Sequence, residues 1–324
     1  MFNESQIARE IEREMSAVLD GSQMKKLHDC LARVMGGNEI ANPPSNDALL
    51  KDFLNAKSVE GCSSRTIQYY TATLEHFVSS LAVPLHAVGT SEVRTYLASR
   101  AAAGSVSNIT LDNIRRVVSS FFSWLEEEEI IYKSPVKRIK KIRSVAAVKP
   151  VITDEEMEVI RDSCRSLRDK AIIDLLASTG MRVGELVRLN RADIDFEARE
   201  CVVHGKGNKQ RKVYFDAKAK IHLQGYLEQR YDQNPALFVS LNAPFKSLNI
   251  GGVESKLREI GRGSAGIRLH PHKFRRTMAT RAIDKGMPIE QVQVLLGHSK
   301  IDTTLCYAMV DQQNVKRSHS KFMS

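Results

Sequence analysis

Paired cysteines and long apolar runs are both missing from this chain. Its five cysteines are widely spaced and include no CxxC pair, which argues against a disulfide framework and a zinc site and is typical of a reducing compartment. No apolar run approaches the roughly 18–20 residues that span a bilayer. The N-terminal stretch "MFNESQIAREIEREM" alternates charges and has no apolar signal core. We therefore expect a soluble, cytoplasmic protein without a membrane partner.

Acidic residues are outnumbered by basic ones. The chain has 48 Lys and Arg against 38 Asp and Glu, a formal net charge of +10 and a sequence pI of about 9.4. This excess favours a polyanionic partner, either nucleic acid or an anionic membrane surface, although many ribosomal and secreted proteins are also basic. With 324 residues, 42% of them hydrophobic, the chain is long enough for about two domains, each with its own core.

Apolar periodicity predicts helices over the first part of the chain. Residues 1–35 and 48–132 carry apolar side chains at three- and four-residue spacing, and the turn-rich stretch 36–47 separates them. The aromatic residues in these stripes are interpreted as core packing. We therefore expect a helical N-terminal extension (1–45) and a helical domain (46–133).

A basic run that lacks any acidic residue follows. The stretch "KSPVKRIKKIRSVAAVKP" carries seven Lys or Arg, and Pro135 and Pro150 bracket most of it. We interpret residues 134–150 as an interdomain linker. Its position between two basic halves favours contact with a phosphate backbone, although such a run can also be simply solvated.

Beyond the linker, residues 151–324 are predicted to be mostly helical with short loops and one small sheet. Thr153 and Glu156 have the spacing of a capping box, and Gly180 is typical of a helix C-terminus. The stretch "ECVVHGKGNKQRKVYF" predicts a β-hairpin. The expected fold class is therefore mainly α with a small β-sheet, in which a helical domain precedes an α+β domain with a C-terminal tail.

Two histidines and three cations lie close together in "HPHKFRRTMAT", residues 270–280. A metal site is disfavoured because no acid follows until Asp284, and a dication would be repelled by every neighbour. An anion clamp fits better, since His272 and Arg275 are three residues apart and share a helix face. Arg275 falls at the border of the apolar stripe, where a guanidinium needs an anionic partner. A distant carboxylate is the alternative partner.

Four other residues could contribute to an anion site. Arg182 lies just past a helix break, in the first turn of the next helix, where a bound phosphate would be stabilised by both the dipole and the guanidinium. Glu185 could orient Arg182 or be an ordinary surface acid. Lys206 stands between two glycines at the predicted hairpin tip, and a lysine that serves only solubility is the alternative. His298 follows a glycine helix end and Tyr307 lies in the next helix, so a polar cap and a core residue are the alternatives.

Together, these residues lie in motifs that resemble those of the tyrosine recombinases, which include phage and transposon integrases and Xer-type resolvases. The motifs are "TGMRVGEL", "HGKGNKQR", "HPHKFRRTMAT" and "LLGHSKIDTTLCY", in this order, and LGH followed nine residues later by Tyr is highly specific. The stretches "SSRTIQYYTATLEHF" and "TLDNIRRVVSSFFSWLEEEEIIYKSPV" resemble the core-binding domain of the family. The resemblance runs from about residue 45 to about residue 310. One departure is Arg276, where the family commonly has histidine, and we interpret it as an added DNA contact.

The resemblance implies a site-specific DNA recombinase in which Tyr307 cuts one strand and leaves a 3′-phosphotyrosine and a free 5′-hydroxyl. A phenol with a pKa of about 10 needs a base, for which His272 is the candidate. Lys206 would protonate the departing 5′-oxygen, and the arginines would neutralise the phosphate. Because fixed cations replace the magnesium of other phosphoryl transfers, neither a metal nor a cofactor is expected. The expected catalytic residues are Arg182, Lys206, His272, Arg275, His298 and the nucleophile Tyr307.

The resemblance also implies a two-domain clamp on double-stranded DNA that carries specific recombination sites, and a homo-tetramer in the synapse. The helical extension favours the integrase of a mobile element, with an Xer-type resolvase or a DNA invertase as the alternative. A relaxing type IB topoisomerase and a non-catalytic DNA-binding regulator are more remote. The residues expected to bind DNA are Arg65, Lys137, Arg138, Lys140, Lys141, Lys209, Arg211 and Arg276.

Overall fold

The computed structural model divides into two compact units, Met1–Ala147 and Val148–Ser324. Each unit is described by itself below. Among the residues that the structure describes, no helix is long and apolar enough to cross a membrane. The structure describes residues 4–35, 44–104, 106–144, 150–205, 210–264, 266–298 and 301–305.

The first unit is helical, as the periodicity predicts. Three of its helices begin at a serine whose side chain accepts a hydrogen bond from a backbone N–H three residues later, which satisfies a donor that the helix itself leaves unpaired. The helices are α1 (Glu4–Met15), α2 (Gly21–Met35), α3 (Asn46–Val59), α4 (Ser64–Ser79), α5 (Thr90–Ala102) and α6 (Asn108–Glu127).

Aromatic side chains fill the core of this unit. Phe53 of α3, Phe77 of α4, and Phe121 and Phe122 of α6 are fully buried. Phe53 and Phe121 meet edge to face with their ring centroids 5.1 Å apart. The interpretation of the aromatic stripes as core is confirmed.

The first part of the expected linker is packed onto this core. Val136 is buried, and Ile139 and Ile142 lie against the same cluster at three-residue spacing. The backbone N–H of Ile142 donates to Oδ1 of the buried Asp112, at 3.0 Å. Residues 134–144 are therefore fixed to the helical unit, which differs from the expected free linker because the basic run also contains an apolar stripe.

The second unit consists of helices around a three-stranded sheet. The strands are antiparallel in the order β1–β2–β3, and Cys201 pairs with Val213 in the hairpin that the sequence predicts. The elements are α7 (Asp154–Asp162), α8 (Leu167–Thr179), α9 (Val183–Leu186), β1 (Ile194–Asp195), β2 (Glu200–His204), β3 (Gln210–Tyr214), α10 (Ala217–Glu228), α11 (Ile250–Gly263), α12 (Pro271–Asp284), α13 (Ile289–Leu296) and α14 (Asp302–Leu305).

Helix ends in this unit follow the local sequence signals. Thr153 and Glu156 form the predicted capping box at the start of α7. Gly180 ends α8 and Gly297 ends α13, both in the left-handed conformation with φ of +61° and +63°. This conformation favours glycine, and it turns the chain sharply after each helix.

One stretch of the second unit differs from the expected short loops. Residues 229–249, between α10 and α11, contain no helix or strand. Arg230 organises this segment, because its guanidinium donates to the backbone oxygens of Asn234, Ala236 and Leu237 and binds the Asp232 carboxylate. This side chain satisfies part of the backbone, and backbone bonds such as that from the Leu237 N–H to the Leu189 carbonyl oxygen satisfy more of it.

Helix α8 is the centre of the second core. Most of its residues are buried, including both Ile172 and Ile173, and it packs against α10 and α12. Its buried charged residues are paired, Arg168 with Asp169 and Asp174 with Arg161, as burial of a charge requires. This packing brings the C-terminal end of α8 against α12, where the charged residues described next lie.

Candidate active site

A cavity of about 360 Å³ in the second unit collects several of the predicted site residues. It lies between the turn after α8, the short helix α9 and the start of α12. Its lining residues are Met181, Arg182, Val183, Gly184, Glu185, Arg188, Gly205, Pro271, His272 and Arg275.

Arg182 is the N-cap residue of α9, one position before the first turn in which the sequence placed it. Its Nη1 donates to Oε1 of Glu185 at 3.0 Å, and its Nη2 donates to the carbonyl oxygen of Gly297 at 3.1 Å. Its side chain remains 40% exposed. The guanidinium is thus oriented by two partners and still accessible from the cavity.

Glu185 is the carboxylate that binds both Arg182 and Arg211 beside the cavity. Its side chain is only 1% exposed and accepts hydrogen bonds from the Arg182 backbone N–H and from both Nη atoms of Arg211. Burial by itself raises the pKa of Glu185, but the hydrogen bonds from Arg211 and Arg182 outweigh it and keep the pKa below its usual value. Glu185 is therefore a buried, ionised partner and not an ordinary surface acid.

Arg275 is almost completely buried on α12, with 2% of its surface exposed. Its Nη1 donates to the carbonyl oxygen of Gly180 at 2.8 Å, and its Nη2 donates to the carbonyl oxygen of Leu296. Both acceptors lie at helix C-termini, where backbone carbonyls lack a partner within the helix. These two acceptors are neutral, so they orient the guanidinium without placing a negative charge beside it.

His298 follows the glycine that ends α13. Its Nδ1 lies 2.9 Å from Oγ1 of the buried Thr304 in α14. Burial, followed by the charges of Arg275, Arg182 and Arg211, lowers the pKa of His298 to about 4. The imidazole is therefore neutral near pH 7.

The structure thus brings four of the six expected catalytic residues to one place. Arg182, His272 and Arg275 line the cavity, with His272 exposed on the first turn of α12, and His298 is close enough to feel the arginine charges. Lys206 and Tyr307 lie outside the described residues, as does the expected DNA contact Lys209. Gly205, which precedes Lys206 in the sequence, lines the cavity.

Two expected DNA contacts in this unit have protein partners. The guanidinium of Arg211 binds Glu185 and the Leu295 carbonyl oxygen, and its side chain is only 12% exposed. This differs from the expected phosphate contact, because a buried carboxylate already occupies the fork of the guanidinium. Arg276 donates to the Pro150 carbonyl oxygen and holds the start of this unit on α12.

The remaining expected contacts lie in the helical unit. Arg65 is exposed in the first turn of α4, and Arg138, Lys140 and Lys141 are exposed on the anchored segment 134–144. Lys137 is paired with Glu126 of α6. The anchoring fixes the backbone that carries Arg138, Lys140 and Lys141.

Sequence reasoning missed the backbone acceptors and Arg188. The carbonyl groups of Gly180 and Leu296 leave no trace in residue type, although the glycine helix ends are a signal for them. Arg188 lines the cavity and folds back onto the Gly184 carbonyl oxygen, four residues earlier. Arg188 lies just past the end of α9, and nothing in its local sequence distinguishes it from a surface arginine.

Within the described ranges, no group of three or more His, Cys, Asp and Glu side chains could hold a metal ion. The local chemistry is instead that of an anion site made of arginines and a neutral imidazole. Comparison with known proteins agrees with this chemistry. The phage integrase family matches residues 150–314, half of the chain, and the phage integrase N-terminal SAM-like domain matches residues 49–131.

The chain belongs to the phage integrase family. It is 30% identical over 274 residues to the tyrosine recombinase XerC of Bacillus pumilus (strain SAFR-032). The aligned region covers 79% of this chain and 90% of the relative. The resemblance to tyrosine recombinases is confirmed, and the chain is a site-specific recombinase and a DNA strand transferase.

Solved structures share the fold. The integrase of the Tn1549 transposon, in complex with a circular intermediate DNA, has a TM-score of 0.70 and 18% identity and covers 84% of this chain and 98% of that one. A lambda integrase tetramer bound to a Holliday junction has a TM-score of 0.66 and 19% identity, and the match covers 83% of this chain and 85% of that one. The mainly helical architecture with a small sheet is that of these integrases.

Proposed function

We propose that this recombinase cuts and rejoins double-stranded DNA at specific sites through a covalent bond between Tyr307 and a 3′-phosphate. The Tyr307 phenolic oxygen attacks the phosphorus, and the bond from phosphorus to the 5′-oxygen breaks. The phosphodiester energy stays in the phosphotyrosine bond, so a 5′-hydroxyl from another strand can reverse the reaction.

The observation that carries this proposal is the convergence of Arg182, Arg275 and His298 beside one cavity. Three chain segments that are far apart in sequence meet there through hydrogen bonds to helix-end carbonyls and to Glu185. Three arginines, including Arg211, lower the pKa of His298, while Glu185 is the one carboxylate bound to this cluster within the described residues. The excess positive charge suits a phosphodiester whose charge grows in the transition state.

Each side chain has a role that its position supports. Arg182 and Arg275 would bind the non-bridging oxygens of the phosphate. The neutral imidazole of His298 would donate from Nε2 when the Thr304 hydroxyl donates to Nδ1, which fixes the tautomer. The exposed His272 would take the proton of Tyr307, and Lys206 would give one to the 5′-oxygen.

The finer proposal concerns assembly and biological role. We propose that the chain acts as a homo-tetramer in the synapse, as the lambda integrase does on a Holliday junction, and that it serves a mobile element. Support for the second point is the helical pair α1–α2, which precedes the matched SAM-like segment 49–131. Repeats that flank the gene and are joined by the purified protein would agree with this role. A single chromosomal site that is resolved without excision would contradict it.

The chemistry is tested by trapping the covalent intermediate. The full chain is incubated with a pool of nicked duplexes made from fragments of the source genome, in which the short 5′-hydroxyl piece diffuses away after cleavage. Covalent complexes are recovered under denaturing conditions and their DNA is sequenced. We expect 3′-linked adducts enriched in one sequence, and Tyr307→Phe should abolish them while DNA affinity is unchanged.

Tyr231→Phe is the matched control, because Tyr231 is 92% exposed and does not line the cavity. This variant should form the adduct at the rate of the unmodified protein. An adduct that survives Tyr307→Phe would overturn the assignment of the nucleophile. Relaxation of supercoiled plasmids that lack the enriched sequence would instead indicate a topoisomerase.

A further inference from the structure

Arg211 of β3 makes hydrogen bonds to the protein with each nitrogen of its guanidinium. Nη1 and Nη2 bind the two oxygens of Glu185 at 2.6 and 2.8 Å, and Nε binds the Leu295 carbonyl oxygen at 2.8 Å. The paired bonds to one carboxylate have the fork geometry that favours arginine over lysine. Arg211 is therefore held within the unit, which does not fit a residue that reaches out to a DNA backbone.

The consequence for Arg182 follows from charge. Glu185 is shared by two guanidiniums, so the buried cluster keeps one excess positive charge. Without Arg211, Glu185 and Arg182 would form a neutral pair, and burial would favour uptake of a proton by the carboxyl group. A neutral pair would attract a phosphate less strongly, and a protonated Glu185 would hold Arg182 less firmly.

Arg211 also joins three elements that carry predicted catalytic residues. It pairs with Val203, one pair before the turn end of the hairpin, and its contacts reach α9 through Glu185 and the end of α13 through Leu295. A Cβ on Gly297 would lie 3.0 Å from Cδ of Arg211, so the glycine that precedes His298 packs directly against this side chain. Arg211 thus helps to fix the distance between Arg182 and His298, together with the direct bond from Arg182 to the Gly297 carbonyl oxygen.

We propose that Arg211 is a positioning residue for strand cleavage: its guanidinium fixes Glu185, and through it Arg182, against the end of α13 that leads to His298. The inference rests on the proposed function, since it assigns to Arg211 the alignment of two groups that bind the phosphate. Arg211 itself would not touch DNA.

The test uses Arg211→Gln and Arg211→Lys in the full chain, with a nicked duplex of the sequence recovered in the trapping experiment. Single-turnover cleavage at saturating DNA, DNA affinity and thermal unfolding are measured for each. We expect Arg211→Gln to slow cleavage on the order of 100-fold, the size of effect that a displacement of about 1 Å can have, while DNA affinity changes less than about threefold. Guanidinium ion at millimolar concentration should restore part of the rate of Arg211→Gln, and Arg211→Lys should retain an intermediate rate because it keeps the charge without the fork.

Arg161→Gln is the matched control. Arg161 is also partly buried, at 14% side-chain exposure, and binds a buried carboxylate, with Nε 2.7 Å from Oδ1 of Asp174, but it does not line the cavity. The Arg161→Gln substitution should lower the unfolding temperature and leave the cleavage rate unchanged. If Arg211→Gln weakened DNA binding and left cleavage at saturating DNA unchanged, Arg211 would be a DNA contact and the inference would be wrong. An equal loss of rate in Arg161→Gln, or no rescue by guanidinium, would indicate a merely structural role.

Failure of the proposed function has a different signature. If the unmodified protein bound DNA and formed no Tyr307-dependent adduct, the proposed function would fall first. If that adduct formed and the rate did not depend on Arg211, only the positioning role would be overturned.

Discussion

His298 shows how its surroundings set the protonation state of a single residue. An imidazole ordinarily titrates near pH 6.5, but burial and the charges of Arg275, Arg182 and Arg211 lower the pKa of His298 to about 4. A cationic imidazole would be one more positive charge among three. The site therefore keeps this residue as a neutral hydrogen-bond donor over the physiological pH range.

The first prediction concerns the pH dependence that follows. Because the folded pKa lies below the unfolded value, the unfolded chain takes up a proton between pH 6.5 and about 4 that the folded chain does not. His298 therefore costs no stability above pH 7 and lowers the free energy of unfolding as the pH falls through this window. Thermal unfolding of the unmodified protein should show this loss relative to His298→Gln, which cannot titrate.

Imidazole NMR titration provides the direct measurement. We expect a midpoint near pH 4 for His298 in the DNA-free protein. Binding of a nicked duplex should raise this midpoint, since the phosphate charge offsets that of the arginines. A midpoint near pH 6.5 in the free protein would contradict the described environment.

At the scale of elements, two helix ends build much of the site. Helices α8 and α13 both end in glycine with positive φ, and the carbonyl oxygens near these ends bind Arg275, Arg182 and Arg211. Backbone carbonyls at a helix C-terminus need partners, and cations are favourable ones. The end of each helix and the orientation of the arginines are therefore parts of one arrangement.

The second prediction tests this link with Gly297→Ala. An alanine at φ of +63° is strained by roughly 1–2 kcal/mol, and its Cβ would press on Arg211. We expect a lower free energy of unfolding and a slower cleavage rate. Gly266→Ala is the control, because Gly266 has φ of +75° and no atom within 4 Å of an added Cβ.

The two variants separate backbone strain from the effect on Arg211. Gly266→Ala should lose the strain energy alone and cleave at the unmodified rate, whereas Gly297→Ala should lose more stability and some activity. Chemical denaturation and single-turnover cleavage measure both quantities. Equal stability and equal rates in the two variants would argue against a coupling between the α13 end and Arg211.

Elements were more predictable from sequence than side-chain partners. Apolar periodicity, the Thr153 cap and the glycine helix ends are local signals, and the helices and the hairpin follow them. The partner of Arg211 was not predictable, because a basic residue near a hairpin has the same local pattern whether it binds DNA or a buried carboxylate. The apolar stripe of the anchored segment 134–144 was obscured by the lysines between its members.

At the scale of the whole molecule, positive charge is distributed over both units. The anchored segment 134–144 presents Arg138, Lys140 and Lys141 to solvent, and the cavity in the second unit is lined by Arg182, Arg188 and the buried Arg275. Exposed lysines contribute to DNA affinity through released counterions, whereas buried arginines contribute to chemistry. Affinity and catalysis should therefore respond to different substitutions.

The third prediction applies this separation to salt dependence. The double variant Lys140→Gln with Lys141→Gln should lower the slope of log affinity against log salt by about 2, since each phosphate contact contributes about 0.9. Cleavage at saturating DNA should be unchanged. Lys218→Gln with Lys256→Gln is the charge-matched control, because these lysines are paired with Glu158 and Glu259. A control slope that falls as much would indicate an effect of net charge alone.

The carbonyl groups that hold Arg275 have one further consequence. A peptide oxygen belongs to every amino acid, so replacement of Leu296 by another residue leaves this acceptor in place, and no codon change can remove it. Only a shift of the helix end itself could do so. Two hydrogen bonds of this deeply buried arginine thus depend on the path of the chain and not on the type of another residue, which makes them tolerant of the sequence drift that separates this protein from relatives only 30% identical to it.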